Sequence, residues 1–220
     1  MSSPFSKSTA SLLFLGIALS GCASTRPVAY SGIASSPQLQ ANPRDNSDHV
    51  PYSYSTHVDW RPYTRVIVSP VVVYRGTDNQ FGGTSEEDKD RLAEYMHAQF
   101  VTKLAEKFQV TNIPSSGSLR VNLTLTGART STPVLSTFTH FDLAGGPYNI
   151  VQGARGKEGM MMGSVTYAVE IYDADTNRLL RAYVEKQYPN AMNVKSTFGS
   201  LSAAKTGIRK GADALVAQLN

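Results

Sequence analysis

Alternating apolar and polar residues predict strands in the second half of the chain. Aliphatic residues occupy every second position from Leu119 to Thr126, and the same period of two recurs from Val165 to Ile171. This alternation is typical of strands with one buried face. Turn-forming residues follow from Asp173 to Asn177, so the segment Leu180 to Lys186 is expected to return as the hairpin partner.

The segment before these strands predicts a buried strand followed by a helix. Residues Arg65 to Tyr74 are mostly β-branched and apolar, which is typical of a strand buried on both faces. Pro70 lacks an N–H, so we expect a bulge or an edge position there. Thr84 and Glu87 resemble a capping box that opens a helix reaching about Phe108. The apolar stripe of this helix is Leu92, Met96, Phe100, Leu104 and Phe108.

A last helix is predicted from about Phe198 to Leu219. Its apolar face consists of Leu201, Ala204, Ile208, Ala212, Leu215 and Leu219, opposite Lys205, Arg209 and Lys210. The element order is β-α-β-β-β-α, and packing both helices on one side of a mixed sheet buries one face of every element. We therefore predict one α+β domain over residues 58–220, with about four strands and two helices on one face.

The N-terminal residues follow the pattern of a bacterial lipoprotein signal peptide. Lys7 precedes an apolar stretch that ends at Leu19, whose length matches the 7–15 residues of a signal h-region and falls short of the roughly 20 that span a bilayer. Leu19-Ser20-Gly21-Cys22 then fits a lipobox. We predict cleavage between Gly21 and Cys22 and acylation of Cys22. The alternative is an ordinary secretory leader, residues 1–21, followed by a chance Cys.

Acylation of Cys22 predicts a location. A single myristoyl chain gives a membrane-binding constant of only about 10⁴ M⁻¹, whereas a processed lipoprotein carries two or three chains and stays attached. Ala23 follows the Cys, in place of the Asp that tends to retain lipoproteins in the inner membrane of enteric bacteria. We expect the outer membrane of a Gram-negative cell, with the acyl chains in the membrane and the domain facing the periplasm.

Residues 22–57 have the composition of a flexible tether. They are rich in Ser, Pro, Asn and Ala, and they show no helical or strand periodicity. A flexible chain of about 34 residues spans roughly 30 Å, and its extended limit is about 110 Å. The domain would then stand clear of the membrane. An alternative is that the part from Tyr30 to Leu39 docks on the domain as a strap.

Composition and charge narrow the function only slightly. Loss of residues 1–21 removes one positive charge, Lys7, so the formal net charge falls from +4 to +3. No block of like charges concentrates this excess, and we predict no nucleic-acid partner. Cys22 is the single Cys, which excludes an intrachain disulfide. With 41% hydrophobic residues, the chain can bury one core.

No arrangement of residues predicts an enzyme or a cofactor site. There is no Gly-x-Ser-x-Gly elbow, and the single thiol is assigned to lipid. The run from Asp173 to Asn177 starts like a calcium loop, but Arg178 and Val184 occupy the positions that require Gly and Glu, which favours a hairpin turn. None of the four histidines has a second ligand at zinc-like spacing. They are His49, His57, His97 and His140. We predict no catalytic residue, no metal and no cofactor.

The segment from Thr130 to Met162 has no simple structural explanation. Its 33 residues lack a regular pattern, and loops of this length are often functional. Its aromatic residues either cover the open face of the sheet or bind a partner, a role that adaptable Met side chains favour. The candidate partner or ligand surface consists of Phe138, Phe141, Tyr148, Met160, Met161 and Met162.

Several segments together resemble a known family. These are the lipobox, Tyr30-Ser31-Gly32-Ile33, the stretch from Tyr63 to Val71 and the hairpin from Glu170 to Leu180. They are similar to the proteobacterial lipoprotein family called domain of unknown function 3313, over most of the mature chain. The resemblance implies a location and a fold, and it supplies no activity and no functional residues.

Three hypotheses for the function follow. The first is a non-enzymatic outer-membrane lipoprotein that binds an envelope protein or another envelope component. The second is a small-molecule or lipid-binding module that uses a groove under the 130–162 loop. The third is an envelope hydrolase, which would need two convergent titratable groups in one pocket.

Overall fold

The computed structural model describes residues 26–45, 49–129, 163–189 and 201–220. Those residues form a short 3₁₀ turn, eight strands and two α-helices. The strands are β1 (Gln40–Ala41), β2 (Tyr52–Ser55), β3 (Arg65–Val68), β4 (Val72–Val73), β5 (Gln109–Val110), β6 (Ser118–Arg129), β7 (Ser164–Asp173) and β8 (Leu179–Gln187). The helices are α1 (Glu86–Leu104) and α2 (Ser202–Gln218). The predicted α+β class is confirmed.

All eight described strands belong to one mixed sheet. Its order is β1-β2-β8-β7-β6-β3-β5, and β4 pairs with β6 beyond the end of β3. Along this order, each strand from β1 to β6 is antiparallel to the next. The pairs β6–β3, β3–β5 and β6–β4 are parallel. The predicted hairpin is β7–β8. The Asp173 carboxylate closes its turn by accepting hydrogen bonds from the backbone N–H groups of Asp175 (3.1 Å) and Thr176 (2.9 Å).

Both helices pack against each other and against one face of the sheet, as predicted. The predicted stripes of α1 and α2 are buried in the main core together with the alternating aliphatic residues of β6 and β7. Helix α1 begins one residue later than expected, because the Ser85 hydroxyl accepts the hydrogen bond from Asp88 N (3.2 Å). The Thr84 hydroxyl instead donates to the carbonyl of Ala128 (3.0 Å).

The sheet has eight described strands where the sequence predicted about four. The predicted strand Arg65–Tyr74 is divided into β3 and β4, which Pro70 separates. The short strand β5 follows α1, and β1 and β2 lie within the predicted tether. Strands of two to four residues carry too little alternation to be recognised from the sequence.

The segment predicted to be a tether packs on the sheet in its described part. We call residues 26–41 the N-terminal strap. Tyr30 and Ile33 are buried with Tyr74, Ala168 and Val184 in a second cluster, on the sheet face opposite the helices. This packing supports the predicted alternative of a docked strap and differs from a flexible tether reaching to residue 57. The apolar residues of the strap are isolated in the sequence, and the residues that they pack against lie far along the chain.

Polar residues of β7 that were expected to face solvent are buried, and the strap contacts one of them. Thr166 and Glu170 are both buried, and the backbone N–H of Ser35 donates to the Glu170 carboxylate at 2.7 Å. The sheet is therefore covered on both faces at β7. Among the described residues, neither helix combines the length and the apolar character that crossing a bilayer requires.

Candidate functional site

An open groove of about 630 Å³ lies between β4 and α1. One wall comes from the segment around β4 and the other from the first half of α1. The lining residues are Pro70, Val71, Val73, Arg75, Asp90, Ala93, Glu94 and His97. The groove is the candidate functional site, and it lies within the described part of the chain.

Two simple periodicities place these side chains together. Val71, Val73 and Arg75 are spaced two apart, so an extended backbone points them to the same face of the sheet. The α1 residues between Asp90 and His97 recur at intervals of three and four, so they form one stripe along the helix. This stripe lies next to the buried stripe that packs α1 on the sheet.

The floor of the groove is apolar. Val71 and Val73 are partly buried against the main core, and Ala93 is buried. His97 lies at one end, with its Nε2 atom 3.4 Å from the carbonyl oxygen of Val68. The floor therefore offers aliphatic contacts, and polar groups lie around its margin.

The margin of the groove carries unbalanced negative charge. Arg75 forms an ion pair with Glu86, which also accepts a hydrogen bond from Lys89 Nζ (2.6 Å). The bonds from Lys89 and Arg75 hold the pKa of Glu86 below its ordinary value. Asp90 and Glu94 are exposed, and neither forms an ion pair with a described residue. Two carboxylates thus face the groove without a basic partner among the described residues.

The backbone of β4 is open on the groove side. Val73 pairs with Leu125 of β6 in parallel register, and the N–H of Tyr74 donates to the Leu125 carbonyl at 2.9 Å. Backbone groups of a parallel strand point alternately to either side, so the N–H and C=O of Val73 point away from β6. No described strand pairs with β4 on that side. Within the described part of the chain, the groove is therefore bordered by an unpaired sheet edge.

A second cavity, of about 230 Å³, is lined by His57, Asp59, Tyr63, Asp173 and Arg178 among others. Several of its polar groups are paired, because the Tyr63 hydroxyl donates to the Asp173 carboxylate at 2.8 Å and Asp59 forms an ion pair with Arg61. Hydrogen bonds from the Thr176 backbone and from Tyr63 lower the pKa of Asp173. We therefore interpret this cavity as part of the packing around the hairpin turn. It is a weaker candidate for the functional site than the groove.

A buried polar cluster lies beneath α2. Glu185 accepts hydrogen bonds from the Tyr167 hydroxyl (2.9 Å) and from Gln187 Nε2 (2.6 Å), and burial raises its pKa. Gly211 of α2 lies over Tyr167 so closely that a Cβ atom would overlap the hydroxyl. The hydroxyl of Tyr183 is buried without a hydrogen-bond partner among the described residues. We interpret the cluster as part of the packing of α2 on β7 and β8.

The site residues predicted from the sequence lie outside the described residues. This holds for Gly21 and Cys22, for His140, and for all six residues of the predicted partner surface, which are Phe138, Phe141, Tyr148, Met160, Met161 and Met162. They remain predictions.

The other three histidines lie apart from one another. His49 stacks on Tyr188 with 4.5 Å between ring centroids, His57 lines the second cavity and His97 lines the groove. Within the described ranges, no three His, Cys, Asp or Glu residues are grouped so that they could hold a metal ion.

The groove was not predicted from the sequence. The signal was present as a second stripe on α1, offset from the apolar stripe and carrying Asp90, Glu94 and His97. A stripe that is half charged is usually a solvated helix face, so its position beside β4 becomes visible only in three dimensions.

Comparison with solved structures finds partial likenesses. A PelC dodecamer variant from Paraburkholderia phytofirmans is 10% identical, with a TM-score of 0.39 over 74% of this chain and 93% of that chain. A putative neuraminyllactose-binding hemagglutinin homolog from Helicobacter pylori is 8% identical, with a TM-score of 0.34 over 72% of this chain and 81% of that chain. Likenesses of this extent indicate neither a function nor an assembly for the present chain.

Comparison at the level of sequence families is decisive. The curated proteins give no match. The family model described as "Protein of unknown function (DUF3313)" matches residues 29–215, which include most of the strap, every described strand, α1 and most of α2. The resemblance carried by the segments around Tyr30, Tyr63 and Glu170 is thereby confirmed, and the chain belongs to the DUF3313 family.

Proposed function

We propose that this protein is a lipid-anchored binding domain, without enzymatic activity, that holds an envelope partner in the groove between β4 and α1. The observation that carries the proposal is the groove itself. It combines an apolar floor at Val71, Val73 and Ala93 with two exposed carboxylates and a free sheet edge. Concave sites with few polar groups around an apolar floor are typical of binding sites.

The chemistry of the lining residues favours binding over catalysis. None of the eight is Ser, Thr, Cys or Tyr, so the groove offers no side-chain hydroxyl or thiol as a nucleophile. Asp90, Glu94 and His97 are titratable groups in one groove, as the hydrolase hypothesis requires, but the His97 ring faces the Val68 carbonyl and no described carboxylate forms a hydrogen bond with it. Asp90 and Glu94 are solvated, which suits a charged contact with a partner.

The anchored location is the second part of the proposal. It rests on the lipobox that ends at Cys22 and on the Ala23 that follows it. Acyl chains on Cys22 would hold the domain at the outer membrane, facing the periplasm. The partner is then another component of the envelope.

A small molecule or lipid is the second candidate for the ligand. The groove volume of about 630 Å³ lies within the range of roughly 300–1,000 Å³ that small-molecule sites occupy. Native mass spectrometry would detect a ligand that co-purifies with the protein. A co-purified lipid together with a thermal shift on adding it would favour this candidate over a protein partner.

Site-specific photo-crosslinking in cells tests the proposal. We expect a photoreactive amino acid in place of Glu94 to give a discrete crosslinked adduct, because its side chain faces the groove. The matched control replaces Asp175, an exposed acidic residue in the β7–β8 turn. Absence of an adduct at both positions, or the same adduct at both, would contradict a binding role for the groove.

A further inference from the structure

We propose that the occupant of the groove is an extended polypeptide segment that carries a Lys or Arg side chain and adds to the sheet beside β4. This inference rests on the proposed function and names the class of partner. Three features of the described residues lead to it: the free backbone of β4, the alternation of groove residues along that strand, and the unpaired carboxylates on α1.

The backbone of β4 selects for an extended chain. The N–H and C=O of Val73 point away from β6, and in an extended backbone those of Val71 and Arg75 point the same way. A polypeptide in strand conformation presents the complementary row of donors and acceptors. Strand addition of this kind occurs where a sheet edge is left unpaired beside a groove.

Proline sets one limit of the added strand. The chain is irregular around Pro70, where the pairing with β6 is interrupted between Val68 and Val72, so regular pairing with an incoming chain starts after it. Val68, on the other side of Pro70, has its carbonyl close to His97 (3.4 Å). The incoming segment therefore pairs with a stretch of only a few residues, and we expect a short recognition sequence.

The groove accepts every second side chain of the incoming segment. Alternate side chains of a strand point to opposite faces, so those on the helix side lie over Val71, Val73 and Ala93. The remaining side chains lie beside Val72, which is 60% exposed on the opposite face. An aliphatic residue at the groove positions buries apolar surface that the free protein leaves partly in water.

The charge of the groove selects for a basic residue. Asp90 and Glu94 lie one turn apart on α1 and have no basic partner among the described residues, whereas Arg75 is paired with Glu86. A Lys or Arg at a groove position of the segment would supply the missing positive charge. Electrostatic complementarity of this kind contributes mainly to specificity and to the association rate.

A displayed library of random heptapeptides, selected on the full chain purified in detergent, provides the first test. We expect enrichment of sequences that place an aliphatic residue and a Lys or Arg two positions apart. Selection of no common pattern, or of acidic peptides, would overturn the inference.

N-methylation of a selected peptide tests strand addition itself, without changing the protein. N-methyl groups on one alternate set of residues block the edge that faces β4, and on the other set they leave it free. We expect one analogue to bind about tenfold more weakly or worse, and the other to bind like the parent peptide. Equal binding of both analogues would overturn strand addition, while the crosslink at position 94 would still support a binding groove.

Charge reversal on α1 tests the recognition of the basic residue. We expect Asp90→Lys and Glu94→Lys each to weaken binding of the selected peptide about tenfold, because a like charge replaces the attractive one. Asp175→Lys makes the same change of charge in the β7–β8 turn and should leave binding unchanged. Equal effects of all three variants would show that net charge alone attracts the peptide, which would overturn the inference.

Discussion

At the scale of single residues, the most consequential position is the buried carboxyl of Glu185. Its two oxygens accept hydrogen bonds from Tyr167 and Gln187, and no described cation lies beside it. Burial disfavours the charged form of a carboxyl group, and the hydrogen bonds offset this only in part. The result is a pKa above the ordinary value of 4.5.

The raised pKa of Glu185 makes stability dependent on pH. The folded state binds a proton more readily than the unfolded state, so the free energy of unfolding falls as the pH rises from about 4.5 through the folded pKa. In the Glu185→Gln variant no carboxyl group titrates at this position. The free energy of unfolding of the variant should therefore not show this fall over the same pH range. Urea unfolding of both proteins at a series of pH values checks it. Parallel profiles would contradict a raised pKa for Glu185.

At the scale of elements, the N-terminal strap explains why the sheet has two buried faces. Tyr30 is 1% exposed, packs edge-on against Tyr74 and donates a hydrogen bond to the side-chain oxygen of Gln80 (2.9 Å). Its backbone lies in the left-handed region, with φ 49°, which costs a residue other than glycine about 1–2 kcal/mol. The burial of the ring must outweigh that cost.

Tyr30→Ala tests whether the strap contributes to stability. Removing a fully buried aromatic side chain costs about 3–5 kcal/mol, so we expect the free energy of unfolding to fall by about 3 kcal/mol or more. Tyr30→Phe keeps the ring, removes only the hydrogen bond to Gln80, and should cost about 1 kcal/mol. Chemical denaturation measures both. A flexible tether would instead leave the stability of Tyr30→Ala within about 0.5 kcal/mol of the original protein.

The sequence predicted well those elements that have a regular spacing of apolar or turn-forming residues within the element itself. The stripe on α1, the alternation of β6 and the hairpin turn at Asp173 depend on neighbours within the same element. The strap depends on single residues such as Tyr30 and Ile33, whose partners Ala168 and Val184 lie more than a hundred positions away. Contacts between residues so far apart leave no periodic pattern in the sequence. The groove also joins two separate elements, so it could not be predicted either.

At the scale of the whole molecule, the described residues cover both faces of the sheet at β7, and β4 has one edge with which no described strand pairs. The helices cover one face, the strap covers the other, and β1 and β5 end the sheet. The proposed binding surface beside β4 therefore lies at the side of the sheet.

Replacing the lipobox cysteine tests the anchored location. We expect Cys22→Ala to move the protein from the outer-membrane fraction to the soluble periplasmic fraction, because the acylated thioether cannot form. Sucrose-gradient fractionation separates these outcomes, and mass spectrometry of the N-terminal peptide of the original protein should show the acyl mass. Co-sedimentation of the original protein with inner-membrane markers, or an unmodified Cys22, would contradict the proposal.

The position of the strap bears on how far the domain can move once it is anchored. Val28 already packs against the second cluster, so in an acylated protein only the residues between Cys22 and Val28 would connect the lipid to the fold. Six residues span at most about 20 Å even when fully extended, against the roughly 110 Å available to a tether that reached residue 57. An acylated protein would therefore keep its folded domain within a short distance of the membrane. Its partner would have to come to the membrane surface.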